Sequence, residues 1–375
     1  MTPLEKGVNM SKLHDLHKLG QSTWLNYMRH NYIMSGEFRQ AIDNGIQGVT
    51  ANAAVFAQTI VQHDDYDEDI NRLMLEGIPY RHIHEWLMMD DGRLAADLLH
   101  KVYEATDGWD GYVSLEIDPS LAESATKTAA TAKHTLYGMD RVNAMVEIPA
   151  TLEGCDAIRT LAGDCESLNI THVFTITDFE RAAQAYIAGL ELLLASDCMW
   201  RVMPTAVASF SVGAIDAAID PVLRAKDAPE LCGKTGIALA KLLYQRYRQI
   251  FFGPRWEQLA RHKARPMRPK WTRITPSDPG LPLTHYTNAL IGQDTVITFT
   301  PDTLAAFQKS GKIAPTLTLD IGGAEDHLDR LAKVGVNLDE IVHQLQAEHL
   351  SMAQAQYQAL IDAVMQRSVV LGMAA

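Results

Sequence analysis

Short β-like runs alternate with longer helical patterns along almost the whole chain, and this alternation constrains the fold more than any other feature. Strands separated by crossover helices pair in parallel. Seven runs predict strands, and a weaker eighth lies around 21–26. The seven are 48–52, 111–116, 144–148, 169–174, 205–209, 269–273 and 295–298. Eight such strands favour a closed barrel over an open sheet, so we predict an α/β fold, a TIM (β/α)8 barrel with extra helices.

Two helical segments lie outside the eight repeating units. Residues 64–105 form a long helical insert between the second and third strands, and residues 324–373 follow the last strand as two or three further helices. No linker or repeat divides the 375 residues, and barrels fill such a length as one domain. We therefore predict a single domain spanning 1–375.

Charge and hydropathy exclude several classes of protein. The net charge of -13 argues against nucleic acid and anionic membrane surfaces as partners. No apolar run approaches the roughly 20 residues that a membrane helix requires. The 4 cysteines are too few and too scattered for a disulfide framework or a zinc knuckle. The expectation is a soluble, cytoplasmic protein whose partner is a small-molecule substrate.

Polar residues near the carboxyl ends of barrel strands are the first candidates for a site, because active sites of such barrels lie at that face. Glu147 stands out, since it interrupts the otherwise apolar strand 145–149 and a buried carboxylate is costly unless it is paired, protonated or solvated by a site. A register slip, or a salt bridge to a covering helix, would account for Glu147 equally well. The full set of candidates is Asn26, Asn52, Glu116, Glu147, Asn169, Thr171 and Ser209.

Over nearly its full length the chain resembles the transaldolases of the long bacterial type. The matching stretches, in order, are LGQSTWLN (19–26), GVTAN (48–52), DGYVSLE (110–116), MVEIPATLEG (145–154), NIT (169–171), VASF (207–210), GK (233–234), AKLLYQRY (240–247) and LIGQDTV (290–296). The resemblance implies a class I aldolase-like barrel with its site at the carboxyl ends of the strands. A homodimer is a further expectation, because dimers are common among the family's relatives.

The same resemblance marks departures at charged positions. Glu147 stands where the family carries the lysine that forms a Schiff base with the ketose donor, and Asn26 replaces a proton-transferring aspartate. Ala214 replaces an arginine that grips substrate phosphate. Ser277 aligns with a further basic residue, for which Arg273 is the alternative source of charge. The proton-handling Glu116, the water-positioning Thr171 and the polar residues Asn52, Asn169 and Ser209 are retained.

These departures predict altered chemistry, because a carboxylate cannot form an imine with a ketone. We expect ordinary transaldolase turnover to be lost. The first hypothesis is an acid/base enzyme in which Glu147 and Glu116 act as acid and base, in either order. It would dehydrate, isomerise, epimerise or cyclise a hydroxylated or keto, carbohydrate-like substrate, which suits specialised metabolism. Asn26, Asn52, Asn169, Thr171, Ser209 and Arg273 would bind that substrate.

Other hypotheses stay open. No cofactor is expected, but Mg²⁺ or Mn²⁺ held by the glutamates and asparagines could replace the iminium as electron sink in an aldolase or lyase reaction. Lys270 on the seventh strand could be a relocated imine-forming lysine, although we expect it to point outward at a strand end. Residual transaldolase-type transfer, or a binding barrel without catalysis, completes the set.

Overall fold

Eight parallel strands close into a barrel in their sequence order. The structure is a computed structural model that describes residues 11–196 and 202–374. Both barrel closure and parallel pairing agree with the prediction, so the TIM barrel fold is confirmed. The strands are β1 (Gln21–Leu25), β2 (Gly48–Thr50), β3 (Tyr112–Leu115), β4 (Ala144–Pro149), β5 (Leu168–Val173), β6 (Ala206–Ser211), β7 (Arg268–Thr272) and β8 (Thr295–Phe299).

Helices surround the barrel and follow its strands. Within the described residues they are α1 (Lys12–Lys18), α2 (His30–Met34), α3 (Glu37–Asp43), α4 (Ala53–Gln62), α5 (Asp67–Leu75), α6 (Tyr80–Ala105), α7 (Ala125–Met139), α8 (Leu152–Gly163), α9 (Ile176–Ala195), α10 (Val212–Ala225), α11 (Thr235–Phe251), α12 (Pro254–Ala260), α13 (His285–Ala289), α14 (Pro301–Ser310), α15 (Ile321–Lys333) and α16 (Leu338–Ala374). Helices α5 and α6 occupy the segment expected as an insert, and α15 and α16 that expected after the last strand. In the described ranges, no helix combines the length and apolar character needed to cross a membrane.

Local signals set where the helices begin after their strands. Helix α9 starts with a capping box, in which the Thr175 hydroxyl accepts from the Asp178 amide and the Asp178 carboxylate accepts from the Thr175 amide. Helix α8 starts similarly, with the Thr151 hydroxyl accepting from the Gly154 amide at 2.9 Å. These caps fix the turns that follow β4 and β5, two strands that carry candidate site residues.

Strand register determines which residues point into the barrel. Glu147 pairs with Asn169 between β4 and β5, and Ser209 pairs with Lys270 between β6 and β7. Because residues two apart along a strand share a face, every second position of each strand faces the interior. The register therefore points these four polar side chains into the interior of the barrel.

The amino-terminal end of the barrel is filled. A separate apolar cluster occupies it, comprising Trp24, Tyr112, Met145, Val207 and Val296. Beside this cluster the guanidinium of Arg268 donates to the Ser22 hydroxyl at 2.7 Å and to the Asp110 carboxylate at 3.1 Å. Arg268 and Asp110 are both buried. This packed floor leaves the carboxyl end as the open face, where a site is expected.

Candidate active site

A cavity of about 690 Å³ opens at the carboxyl end of the barrel. It is lined by every residue that the sequence analysis predicted for the site, namely Asn26, Asn52, Glu116, Glu147, Asn169, Thr171, Ser209 and Arg273. A volume of this size suits a small organic ligand. The structure thus brings together side chains that come from seven different strands and their following loops.

Glu147 is held by a chain of hydrogen bonds across four strands, β3 to β6. Its carboxylate accepts from the Ser114 hydroxyl at 3.0 Å and from the Asn169 side-chain amide at 3.3 Å. The Asn169 amide also donates to Ser114 at 2.9 Å, and its carbonyl oxygen accepts from Ser209 at 2.7 Å. Asn169 is fully buried. Glu147 therefore faces the cavity in a fixed orientation, and neither a register slip nor a salt bridge to a covering helix explains it.

Glu116 lies in a poorer environment than Glu147. The hydrogen bond that the structure gives its carboxyl group comes from the Ala53 amide at 3.3 Å. Burial and, to a smaller extent, the neighbouring charge of Glu147 together raise the pKa of Glu116 to about 8. Burial also raises the pKa of Glu147, but the positive charge of Lys270 and the hydrogen bonds from Ser114 and Asn169 oppose that rise. Glu147 is thus the better site for the negative charge, and Glu116 for the proton.

The prediction that Lys270 points outward is wrong. Lys270 lies inside the barrel, where its Nζ donates to the Thr50 hydroxyl at 3.1 Å and sits 4.7 Å from the centre of the Trp24 ring. Its side chain is 1% exposed and lines the cavity. The physical reason is the alternation of side chains along β7. Trp271 points outward and packs in the main core, so its neighbour Lys270 points into the barrel. Burial lowers the pKa of Lys270 to about 8, against the opposing influence of Glu147.

Three predicted residues serve different functions at the rim of the cavity. The Asn52 side-chain oxygen caps helix α4, accepting from the amides of Ala54 and Val55 at 3.0 and 3.2 Å. The Thr171 hydroxyl pairs with the His172 ring at 3.1 Å. Arg273 is exposed to the cavity, and in the part of the chain that the structure describes its guanidinium is given no hydrogen bond or ion pair.

The sequence analysis missed part of the cavity wall. Helix α16 crosses the mouth and contributes Glu348 and His349 among others, and His172 lies beside them. Burial lowers the pKa of both His172 and His349 to about 4, so the two imidazoles are neutral near pH 7. The inward hydroxyls of Thr50 and Thr298 were also missed, although the period-two pattern of their strands signals them. No local signal in α16 predicts its position over the barrel.

Two residues of this same rim have a strained backbone. His172 and Arg273 have left-handed backbone conformations with φ of 57° and 50°. This region costs a residue with a side chain on the order of 1 kcal/mol. Both residues line the cavity, so the strained backbone directs their side chains toward the space that a ligand would fill.

The positions that the resemblance marked as lost cations also lie in the wall. Ala214 and Ser277 line the cavity and carry no charge, which leaves Arg273 as the guanidinium of the wall in the described ranges. Among the described residues there is no group of three or more histidine, cysteine or acidic side chains able to hold a metal ion. The carbonyl oxygens of Asn52 and Asn169 already accept hydrogen bonds, which reduces the oxygen ligands available to Mg²⁺ or Mn²⁺.

Comparisons with known proteins agree with the fold. The family model described as transaldolase/fructose-6-phosphate aldolase matches residues 27–364. A transaldolase of Thermobifida fusca (strain YX) is 35% identical over 364 residues, covering 95% of this chain and 98% of that protein. A transaldolase of Parafrankia sp. (strain EAN1pec) is 34% identical over 361 residues, covering 95% of this chain and 98% of the relative.

A more distant relative shows the same full-length match. The protein named transaldolase 2 of Nostoc punctiforme is 31% identical over 380 aligned residues, covering 97% of this chain and 99% of its own length. Because the family model matches most of the chain and each of these relatives covers at least 95% of it, the chain belongs to the transaldolase/fructose-6-phosphate aldolase family.

Proposed function

We propose that this member of the transaldolase family is an acid/base enzyme acting on a small hydroxylated carbonyl compound. Glu147 is the general base and Glu116 the general acid, and no imine forms at position 147 on β4. One observation carries the proposal: two carboxyl groups face the same cavity in unequal surroundings. Pairs of acids whose environments separate their pKa values are typical of enzymes that both remove and donate protons.

The hydrogen bonds support this order of the two roles. Glu147 accepts from Ser114 and Asn169 and is stabilised as an anion by Lys270, so it can take a proton from carbon or from a hydroxyl. Glu116 has a backbone amide as its donor and retains its proton near pH 7, because its pKa is about 8. The acid is then positioned to protonate a developing oxyanion or a departing hydroxyl group. Isomerisation, epimerisation, dehydration and cyclisation all fit this pair.

The remaining wall fits a polyhydroxylated ligand. Asn26, Thr171 and Thr298 present amide and hydroxyl groups to the cavity, and these can hydrogen-bond to the hydroxyls of a carbohydrate-like molecule. Arg273 at the mouth is suited to an anionic group on the same molecule, because a guanidinium binds carboxylate or phosphate through two parallel hydrogen bonds.

Hydrogen–deuterium exchange at carbon tests the proposal without knowledge of the natural reaction. The protein is incubated in D2O with a panel of ketoses, aldoses and their phosphates, and exchange next to the carbonyl is followed by NMR. We expect Glu147→Gln to lower the exchange rate at least about 100-fold, the lower end of what a general base contributes. Glu325→Gln on α15, an exposed position, is the matched control.

The comparison of variants also tests the assignment of roles. Glu116→Gln removes the acid but leaves the base, so it should slow elimination or isomerisation more than simple exchange. Exchange that persists unchanged in Glu147→Gln contradicts the proposal. Transfer from fructose 6-phosphate by the unmodified protein at the rate of an ordinary transaldolase also contradicts it.

A further inference from the structure

We infer that Lys270 forms an imine with the carbonyl group of the substrate, so that the covalent electron sink of this barrel lies on β7 and not on β4. The inference rests on the carbonyl substrate of the proposed function. It assigns to Lys270 a catalytic role as a nucleophile, beyond any effect of its charge on Glu147.

The amine reaches the cavity and is not consumed by other contacts. Its Nζ donates one hydrogen bond, to Thr50, and rests against the face of Trp24. Among the residues that the structure describes, no carboxylate oxygen lies within the 4.0 Å that defines an ion pair with this nitrogen. An ammonium group has three donors, so with one on Thr50 and one side against the Trp24 ring, a direction remains for a ligand.

The position of Lys270 relative to the carboxyl groups suits the chemistry. Lys270 extends from β7, whereas Glu147 and Glu116 come from β4 and from the end of β3, and all three line one cavity. A carbonyl carbon placed at Nζ would therefore have both proton-transfer groups within the same enclosed space. The other charged or titratable groups of the described wall are Glu348, Arg273, His172 and His349, and both imidazoles are neutral near pH 7.

Burial also prepares the amine for attack. An amine is nucleophilic when unprotonated, and desolvation is one of the recognised ways to activate a lysine. With a pKa of about 8, roughly one Lys270 in ten is neutral at pH 7. An ordinary lysine, with a pKa of 10.5, is neutral in only about one molecule in 3,000 at that pH.

The covalent step balances with the groups present. The ammonium of Lys270 passes a proton to Glu147, and the freed Nζ lone pair attacks the carbonyl carbon. The carbonyl oxygen takes the proton of Glu116, and the adduct nitrogen, which still carries two protons, returns one of them to Glu116, which leaves a neutral carbinolamine. Transfer of the proton from Glu147 to the carbinolamine hydroxyl releases water as the nitrogen lone pair forms the C=N bond. The remaining nitrogen-bound proton stays on the iminium, Glu116 is protonated again and Glu147 is ionised. The iminium then accepts the electron pair of a breaking C–H or C–C bond, as a carboxylate at position 147 cannot.

Two trapping reactions test the inference. Acetylacetone, a 1,3-diketone, forms an enaminone with reactive lysines that absorbs in the near ultraviolet, and dihydroxyacetone with borohydride fixes an imine as a secondary amine. We expect one adduct per chain from each reagent, mapped by peptide mass spectrometry to Lys270. Lys270→Met should abolish it, whereas Lys309→Met, an exposed position on α14, should leave it unchanged.

The pH profile separates a nucleophile from a lysine with a purely structural role. The rate of enaminone formation should rise with a midpoint near pH 8. In Glu147→Gln the midpoint should move to lower pH by about one unit, because the carboxylate that raises the pKa of Lys270 is gone. A folded protein that gives no adduct, or an adduct on another lysine, overturns the inference.

The outcomes distinguish this inference from the function on which it rests. Carbon–hydrogen exchange that depends on Glu147, without trapping at Lys270, leaves the acid/base function standing and removes the imine. Trapping at Lys270 without exchange that depends on Glu147 supports Lys270 as a nucleophile and contradicts the proposed acid/base function.

Discussion

Glu116→Gln should stabilise the protein, and the gain should grow with pH. Burial and the nearby Glu147 raise the pKa of Glu116 from 4.5 to about 8. Between these two values the folded state binds more protons at this group than the unfolded state does. The free energy of unfolding therefore falls as pH rises through this window. Each pKa unit corresponds to about 1.36 kcal/mol, so the whole shift is worth at most about 5 kcal/mol, and water entering the cavity reduces it.

Urea unfolding at pH 5, 6.5 and 8 measures this effect. We expect the urea midpoint of Glu116→Gln to match that of the parent near pH 5 and to exceed it progressively at pH 6.5 and 8. Multiplied by the dependence of the unfolding free energy on urea concentration, the difference at pH 8 should be at least about 1 kcal/mol. Glu325→Gln removes an exposed carboxyl group from α15 and should show no such trend. A Glu116→Gln difference that is constant or shrinks with rising pH would refute the reasoning that burial keeps this carboxyl group protonated.

Two further predictions concern arginines. Arg268→Met should lower the free energy of unfolding by about 3–5 kcal/mol in denaturant titrations, because it leaves Asp110 buried without its cation; a loss below 1 kcal/mol would contradict this. Arg273→Gln should weaken the binding of inorganic phosphate, measured by calorimetry, roughly tenfold, since it removes the guanidinium at the cavity mouth. Arg255→Gln, which removes a surface ion pair, should leave phosphate binding unchanged. Equal weakening of phosphate binding in both variants would contradict the assignment of Arg273 as the anion-binding residue.

The sequence predicted the barrel because its strands and helices have distinct lengths and patterns. Strand ends were located to within a few residues, and the eight named site residues all line one cavity. That success follows from a simple property of parallel barrels: polar residues near the carboxyl ends of different strands converge whatever their separation in sequence. Glu147 and Asn169, 22 residues apart, meet for this reason.

Two parts of the site could not be predicted in the same way. The position of α16 depends on tertiary packing against α4, α5, α6 and α10, and no local pattern states which strand ends it will cover. Lys270 was misplaced because a lysine usually occupies the surface, and that general preference outweighed the alternation along β7. The period-two pattern of β7 alone would have predicted the inward position of Lys270. Arg268 and Thr272 lie on the same face of the strand as Lys270, and Pro269 and Trp271 lie on the other face.

The interior position of Lys270 also explains how the barrel tolerates a carboxylate at position 147. An isolated ionised carboxylate in such a place would be strongly unfavourable. Ser114 and Asn169 supply hydrogen bonds to Glu147, but neutral donors do not cancel its charge. Lys270 supplies the compensating charge from across the barrel without closing an ion pair, and this keeps the space between them open.

In family members an amine extends from β4, according to the resemblance. In this chain the amine extends from β7 and an acid from β4, so a ligand would meet its nucleophile from a different side. A changed direction of attack on the carbonyl plane would expose different bonds of the substrate to Glu116 and Glu147, which is reason to expect a reaction unlike that of the family.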